Sequence, residues 1–281
     1  MVGLLARHKY PKRLYELPQH VVFLGWLEEP KDGMARGMIR ATLIVGLLAG
    51  MATATTGEIL PAPKETVVLL HGMGRSRLSM LVLKSRLEKA GYTVLNFPCA
   101  PPLETPDAIT RDLDLFLREK VKTDRHHLVG HSFGNVIIRN AVKHEMKPGL
   151  GRMVMLAPPN RPACLAAELK DVDVYKWLTG DSGQKLSSEE FYRTLPVPDV
   201  AFGVIAGDRG QKFTFNEPND GIITVESTKL DGMKDWILLH HTHTFMMNSK
   251  DTAAQCIHFL QTGAFAKPEK TPPKANATQG K

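Results

Sequence analysis

The stretch LVGHSFGN, residues 128–135, decides the fold class of this chain, because it places a serine between two glycines after an apolar run. The run HHLVG (126–130) predicts a short buried strand, and NVIIRNAVKH (135–144) predicts a helix directly behind it. The pattern G-x-S-x-G is short enough to recur by chance, so its strand–turn–helix context gives it meaning. In that context Ser132 is a candidate nucleophile, and the dipole of the following helix favours negative charge at the turn.

Strand and helix patterns alternate on both sides of this turn. Short apolar or β-branched runs predict six strands, at 66–70, 92–97, 126–130, 152–157, 200–207 and 236–240. Helical periodicity and capping residues predict helices from Ser76 to Lys89, over 108–121 behind Asp107, over 135–144 and over 249–261. Strands joined by helices of this length need right-handed crossovers, so we predict an α/β fold with a mostly parallel sheet and helices on both faces.

Two further segments interrupt or follow this alternation. An insertion at about 158–199, most helical at 163–178, separates the fourth and fifth predicted strands. It would form a helical cap over the carboxyl edge of the sheet, where open α/β sheets bind ligands. Residues 267–281 are rich in Pro and Lys without apolar periodicity and predict a disordered tail. The α/β domain itself is therefore expected over residues 55–266.

Residues 34–54 have the layout of a secretory signal peptide. Arg36 and Arg40 precede an apolar stretch, 42–52, that ends at a small-x-small site. This stretch is too short to span a bilayer, which takes about 20 residues. We therefore expect an exported protein, periplasmic or secreted, with residues 1–33 as an upstream artefact or extension. The alternative is that the apolar stretch is a buried helix and that the protein is cytoplasmic.

Charge and cysteine content narrow the function classes. Of the net charge of +7, residues 1–40 and 267–281 carry +3 each, which leaves about +1 for the rest of the chain. We expect no nucleic-acid partner, since no basic stripe with interleaved aromatic residues occurs. Cys99, Cys164 and Cys256 form no C-x-x-C pair and have no metal-ligand spacing, so we expect free thiols and at most one intrachain disulfide.

A serine nucleophile needs a histidine base, and the histidine needs a carboxylate that orients it. Asp220, in NDGIITVEST after the fifth predicted strand, is the favoured acid, with Asp208 in IAGDRG as its rival. HHTHTF after the sixth predicted strand offers three histidines. We favour His243, which lies midway between that strand and the last helix, over His240, which continues the strand, and His241.

The same three histidines could bind a metal ion, but no Asp, Glu or fourth His stands at ligand spacing, so we expect no metal and no cofactor. The negative charge of a tetrahedral intermediate would instead need two backbone N–H donors. The favoured donors are Phe133, directly after the serine, and Met73 in LLHGMGRS (69–76). His71 in the same loop is expected to shape the loop rather than to transfer protons.

With these residues in view, the chain resembles the α/β-hydrolases, specifically their bacterial lipase and esterase-like branch. The blocks that carry the resemblance follow the family's order across residues 64–265, and they are VVLLHGMGRS, GYTVLNFP, GHSFG, VMLAPPN, FGVIAGDR, NDGIITVEST and HTHTFMM. The resemblance implies the α/β-hydrolase fold, a catalytic triad and an oxyanion hole. The residues it implies are Ser132, Asp220 and His243 for the triad, with Met73 and Phe133 for the oxyanion hole.

The resemblance also implies hydrolysis of a small-molecule or lipid ester through an acyl-enzyme, and it leaves a membrane surface open as a further partner. Thioesterases, amidases and acyltransferases use the same triad, and a catalytically silent hydrolase fold used for binding is the alternative from another class. The chain departs from the family at Asn135, where glycine is usual, and we expect little effect there. NRPACLA (160–166) replaces the usual block that leads into the cap.

Overall fold

The computed structural model of this protein describes residues 65–100, 103–144, 146–161, 188–210 and 216–267. Several predicted features lie outside these described residues. They are the extension at 1–33, the export signal at 34–54, the most helical part of the cap at 163–178, Cys164 and the tail from residue 268.

One parallel sheet organises the described residues. Its six strands are β1 Glu65–Leu70, β2 Thr93–Asn96, β3 Arg125–His131, β4 Leu150–Leu156, β5 Phe202–Gly207 and β6 Asp235–Leu239. They are ordered β2-β1-β3-β4-β5-β6, and every neighbouring pair is parallel. The chain leaves β1 toward β2 on one side and then adds β3 on the other side. This reversal creates a switch point at the carboxyl ends of β1 and β3, where ligands bind in open α/β sheets.

Five helices occur among the described residues, together with three short 3₁₀ turns. The helices are α1 Leu81–Lys89, α2 Pro106–Lys120, α3 Phe133–Ala141, α4 Glu189–Thr194 and α5 Lys250–Thr262. The 3₁₀ turns are Arg77–Met80, Glu226–Thr228 and Met246–Asn248. Of these described helices, none is both long and apolar enough to cross a lipid bilayer.

Several element ends differ from the sequence prediction by one to three residues, and three of them bear on the site or on capping. The N-cap of α2 is Thr105, whose hydroxyl accepts the Ala108 N–H, because Pro106 suits the first helical position and Asp107 then falls inside the first turn. Helix α3 starts at Phe133, two residues earlier than predicted. Strand β6 ends at Leu239, so His240 lies in the bend after the strand rather than at its end.

Helices cover both faces of the sheet, as predicted. On β1, Val68 and Leu70 join a core cluster with buried residues of α2 and α3. The intervening Val67 and Leu69 join a second cluster with buried residues of α1 and α5. Because side chains alternate along a strand, both faces of β1 are apolar and its sequence is a continuous apolar run. The sheet is therefore the rigid middle layer from which the loops of the carboxyl edge project.

Candidate active site

A strained backbone turn carries the candidate nucleophile. Ser132 is the single residue between β3 and α3, and its φ of 52° with ψ of −123° lies in a region that non-glycine residues rarely adopt. Its backbone N–H donates to the carbonyl of Leu156 at 2.9 Å, which ties the turn to the end of β4. Such strain costs about 1–3 kcal/mol and persists where surrounding contacts enforce it, which is common at functional sites.

The glycine beside the serine allows close packing rather than unusual backbone angles. A β-carbon at Gly134 would lie 2.6 Å from the carbonyl oxygen of Leu70, at the carboxyl end of β1. Neither Gly134 nor Gly130 has a positive φ; the positive φ belongs to Ser132 itself. Gly134 therefore lets α3 lie close to β1, and Gly130 lets β3 lie close to α3. The backbone strain is confined to Ser132.

Asn135 contributes more to this turn than the sequence suggested. Its side chain is buried, and its amide Nδ2 donates to the carbonyls of Ser132 and Leu156, each at 3.1 Å. The side chain thus ties the strained turn to the end of β4. We expected its replacement of the usual glycine to have little effect, because only its tolerance at a helix start was visible. The hydrogen bond to Leu156, at the end of β4, depends on the tertiary fold.

Asp220 and His243 form a buried, hydrogen-bonded pair at the same edge of the sheet. His243 Nδ1 lies 2.7 Å from Asp220 Oδ2, and both side chains are almost fully buried. Asp220 Oδ1 accepts the backbone N–H groups of Ile222 at 3.0 Å and Ile223 at 2.7 Å. The backbone N–H of His243 also donates to the Asp220 carbonyl at 2.9 Å. Because the carboxylate holds a hydrogen on Nδ1, Nε2 of the neutral imidazole is free to accept a proton.

The other two histidines of HHTHTF pair with different carboxylates. His240 Nδ1 lies 2.8 Å from Asp208 Oδ1, with the His240 side chain exposed to solvent. His241 Nε2 lies 2.7 Å from Asp251 Oδ1. The rival acid Asp208 is therefore paired with His240, and the three histidines do not converge. Across the described ranges, no group of three or more metal-ligating side chains occurs.

The loop after β1 packs directly against the serine turn. A β-carbon at Gly72 would lie 3.0 Å from Ser132 Cβ, so the backbone of this loop borders the candidate nucleophile. The adjacent Met73 and Phe133 are the predicted oxyanion donors, and no described residue accepts a hydrogen bond from either backbone N–H. His71 Nδ1 donates to the Gly72 carbonyl at 3.0 Å, and burial lowers the pKa of His71. A neutral, buried His71 that bonds its own loop fits the expected shaping role.

Comparison with known protein families identifies the family of this chain. A sequence profile of the alpha/beta hydrolase family matches residues 67–256, more than half of the chain. The chain belongs to the alpha/beta hydrolase family. A sequence search among curated proteins found no match.

Solved structures share the fold of this α/β-hydrolase. The mature form of a Bacillus licheniformis lipase has 18% identity and a TM-score of 0.60, over 72% of this chain and 93% of that chain. Its propeptide form has 18% identity and a TM-score of 0.58, over 75% of this chain but only 53% of its own. A metagenomic carboxyl esterase has 15% identity and a TM-score of 0.54, over 65% of each chain. At these identities, the likeness establishes the fold.

The sequence analysis missed one further residue of the candidate site. His131 immediately precedes Ser132, and its Nε2 donates to the backbone carbonyl of His243 at 3.0 Å. In the sequence it was only the variable position of G-x-S-x-G. No local pattern indicates that it contacts a residue more than a hundred positions downstream.

Proposed function

We propose that this α/β-hydrolase is a serine hydrolase that cleaves carboxylic esters through an acyl-enzyme. The observation that carries the proposal is the buried His243–Asp220 pair at the edge of the sheet where the strained turn presents Ser132. A carboxylate-held histidine and a strained serine on one edge are the parts that acyl transfer needs.

In the proposed reaction, Ser132 Oγ attacks the ester carbonyl while His243 Nε2 takes the hydroxyl proton. The backbone N–H groups of Met73 and Phe133 stabilise the oxyanion of the tetrahedral intermediate. The intermediate then collapses to the acyl-enzyme, and the alcohol leaves with the proton from His243. Water attacks the acyl carbonyl with His243 again as base, which releases the acid and restores Ser132. Asp220 holds the histidine tautomer and stabilises its cation, and the residues supply the full chemistry without a cofactor.

Exposed apolar side chains at the same edge support an apolar acyl group or a lipid ester as substrate. The apolar rim, as we name it, consists of Leu78 after β1, Ile222 after β5 and Phe245 after β6. Leu78 is 65% exposed and Phe245 is 62% exposed. Exposed apolar surface marks binding of apolar ligands or membranes where it forms a contiguous patch, and all three residues lie in segments that follow the carboxyl ends of strands. We propose the apolar rim as the surface that meets the acyl chain, and a membrane surface as the place where such esters are encountered.

Covalent labelling with a fluorophosphonate separates the proposal from a silent binding fold. The wild-type protein is expected to react once per chain, and mass spectrometry should place the adduct on Ser132. Ser132→Ala should abolish labelling and lower ester turnover by several orders of magnitude with the fold intact. Ser79→Ala, which removes a half-buried serine of the 3₁₀ turn after β1, is the matched control and should label normally. An unlabelled wild-type protein would contradict the proposal.

Substrate panels separate esters from the rival bonds. We expect p-nitrophenyl esters to be hydrolysed faster than the matched thioesters and anilides, with activity rising from short to medium acyl chains because of the apolar rim. Faster thioester turnover at equal acyl length would instead assign a thioesterase. Transfer of the acyl group to an added alcohol in preference to water would assign an acyltransferase.

A further inference from the structure

His131 is a buried residue that the proposed reaction does not use. It is the last residue of β3, next to Ser132, and its ring lies against the ring of His243 with centroids 4.9 Å apart. Its Nε2 is 3.0 Å from the backbone carbonyl oxygen of His243. Because a carbonyl oxygen only accepts, the hydrogen must lie on Nε2 of His131.

The other ring nitrogen of His131 is unpaired. Nδ1 is buried without a hydrogen-bond partner among the described residues, and it lies 3.1 Å from the place that a β-carbon on Gly72 would occupy. Burial, followed by the neighbouring His243, lowers the pKa of His131 well below its usual value, and Arg75 and His71 act in the same direction. The hydrogen bond to the His243 carbonyl opposes this shift without reversing it. His131 is thus a neutral ring with a fixed Nε2–H tautomer.

The contacts of His243 show what this donor does. The side chain and the backbone N–H of His243 both bond to Asp220, so they tie the histidine to the loop after β5. Among the described residues, the bond from His131 is the hydrogen bond that joins His243 to the segment carrying Ser132. The proposed base, His243, and the proposed nucleophile, Ser132, lie on two separate loops. His131 directly precedes Ser132 in the chain and is hydrogen-bonded to the backbone of His243, so it links the two loops.

We propose that His131 is a positioning residue that holds the backbone of His243 at a fixed distance from Ser132. The inference rests on the proposed function, since it assigns a role within the same reaction. It predicts that losing the N–H donor lowers kcat and leaves KM nearly unchanged, because His131 is buried and bonds the backbone of His243 rather than an exposed surface. A displacement of about 1 Å at a reacting group costs about 100-fold in rate.

The test compares His131→Leu, which removes the donor, with His131→Gln, whose amide N–H reaches about as far as the imidazole Nε2–H. His126→Leu is the matched control, since His126 is also a fully buried histidine of β3, without a hydrogen-bond partner on either ring nitrogen. Ester hydrolysis and the rate of fluorophosphonate labelling are measured for each folded variant across pH 5 to 9. If the leucine variant folds poorly, His131→Asn, whose amide is too short to reach the carbonyl, replaces it.

We expect His131→Leu to lose about 100-fold in kcat at nearly constant KM, His131→Gln to keep most of the activity, and His126→Leu to match the wild type. The shape of the kcat/KM profile against pH should stay the same in all variants, because His131 carries no proton in the reaction. Equal losses in the Leu and Gln variants, full activity in His131→Leu, or a shifted pH profile would overturn the positioning role alone. A wild-type protein that neither hydrolyses esters nor labels would overturn the proposed function and the positioning role together.

Discussion

Replacing Asp220 by Asn is the sharpest test of the proposed site, because the structure fixes which way the new amide must point. Asp220 Oδ1 accepts two backbone N–H groups, from Ile222 and Ile223. In Asp220→Asn only the amide oxygen can accept them, so the NH₂ group takes the place of Oδ2 opposite His243 Nδ1. Two donors cannot face each other, and the imidazole therefore moves its hydrogen to Nε2.

The wrong tautomer removes the base, since an Nε2 that carries a hydrogen cannot accept the proton of Ser132. The corresponding change in a serine protease lowers kcat by about 10⁴-fold. A loss of that size is about 5 kcal/mol of transition-state stabilisation. The fold of Asp220→Asn should persist, because the amide oxygen keeps both backbone hydrogen bonds.

The two other histidine–carboxylate pairs supply matched controls. Asp208→Asn and Asp251→Asn each remove a carboxylate that pairs with a neighbouring histidine, His240 or His241. Solvent-exposed pairs contribute about 0–1 kcal/mol to folding stability. Neither carboxylate bonds His243, so these variants should keep most of the wild-type kcat/KM. Initial rates on a p-nitrophenyl ester, with protein folding checked by circular dichroism, provide the comparison. Our reasoning would be refuted if Asp208→Asn or Asp251→Asn lost more activity than Asp220→Asn, or if Asp220→Asn lost less than tenfold.

Three further predictions concern the protein outside the proton path. Gly134→Ala should lower the free energy of unfolding by about 1–3 kcal/mol in urea titrations, because its β-carbon would meet the Leu70 carbonyl oxygen at 2.6 Å. Burial, then nearby charge, lowers the pKa of His126 from 6.5 to about 4, so the unfolded chain binds this proton first as the pH falls. Stability should therefore decrease from pH 6.5 to 4, by up to about 1.4 kcal/mol per pH unit from this residue, and His126→Leu should remove that contribution; an unchanged slope would contradict it. Burial raises the pKa of Cys99 and Cys256 to about 12, so peptide mapping should find both thiols unmodified by iodoacetamide at pH 8 in the folded protein.

Local patterns were sufficient to predict most of the fold. Burial could be predicted from each segment alone, as in the apolar runs of β1 and β3 and the helical spacing of Ile109 and Leu113 on α2. Helix and strand ends were less predictable, as Thr105 at the start of α2 illustrates, because several neighbouring polar residues can cap a helix. The alternation of strands with helices then restricts the connections to a parallel sheet with both faces covered, which is the architecture that the structure shows.

The candidate site was predictable to the extent that it follows chain order. Ser132 is marked by its flanking glycines and by the strand and helix around it. Asp220 and His243 were favoured because the loops after the fifth and sixth strands emerge at the same edge of the sheet. The structure pairs those two residues, and it pairs the rival Asp208 with His240 instead.

What the sequence by itself determined is therefore the family, through the resemblance of its motif blocks, and the sheet with the edge at which the candidate residues collect, which depend on burial periodicity and strand order. Only the tertiary structure decided which carboxylate meets which histidine, and only it showed the distant contacts of Asn135 and His131. Asn135 bonds the end of β4, and His131 bonds the backbone of His243. A hydrogen bond between segments far apart in the chain requires their separation to be correct to within a few tenths of an ångström, and no local pattern of residue types encodes such a separation.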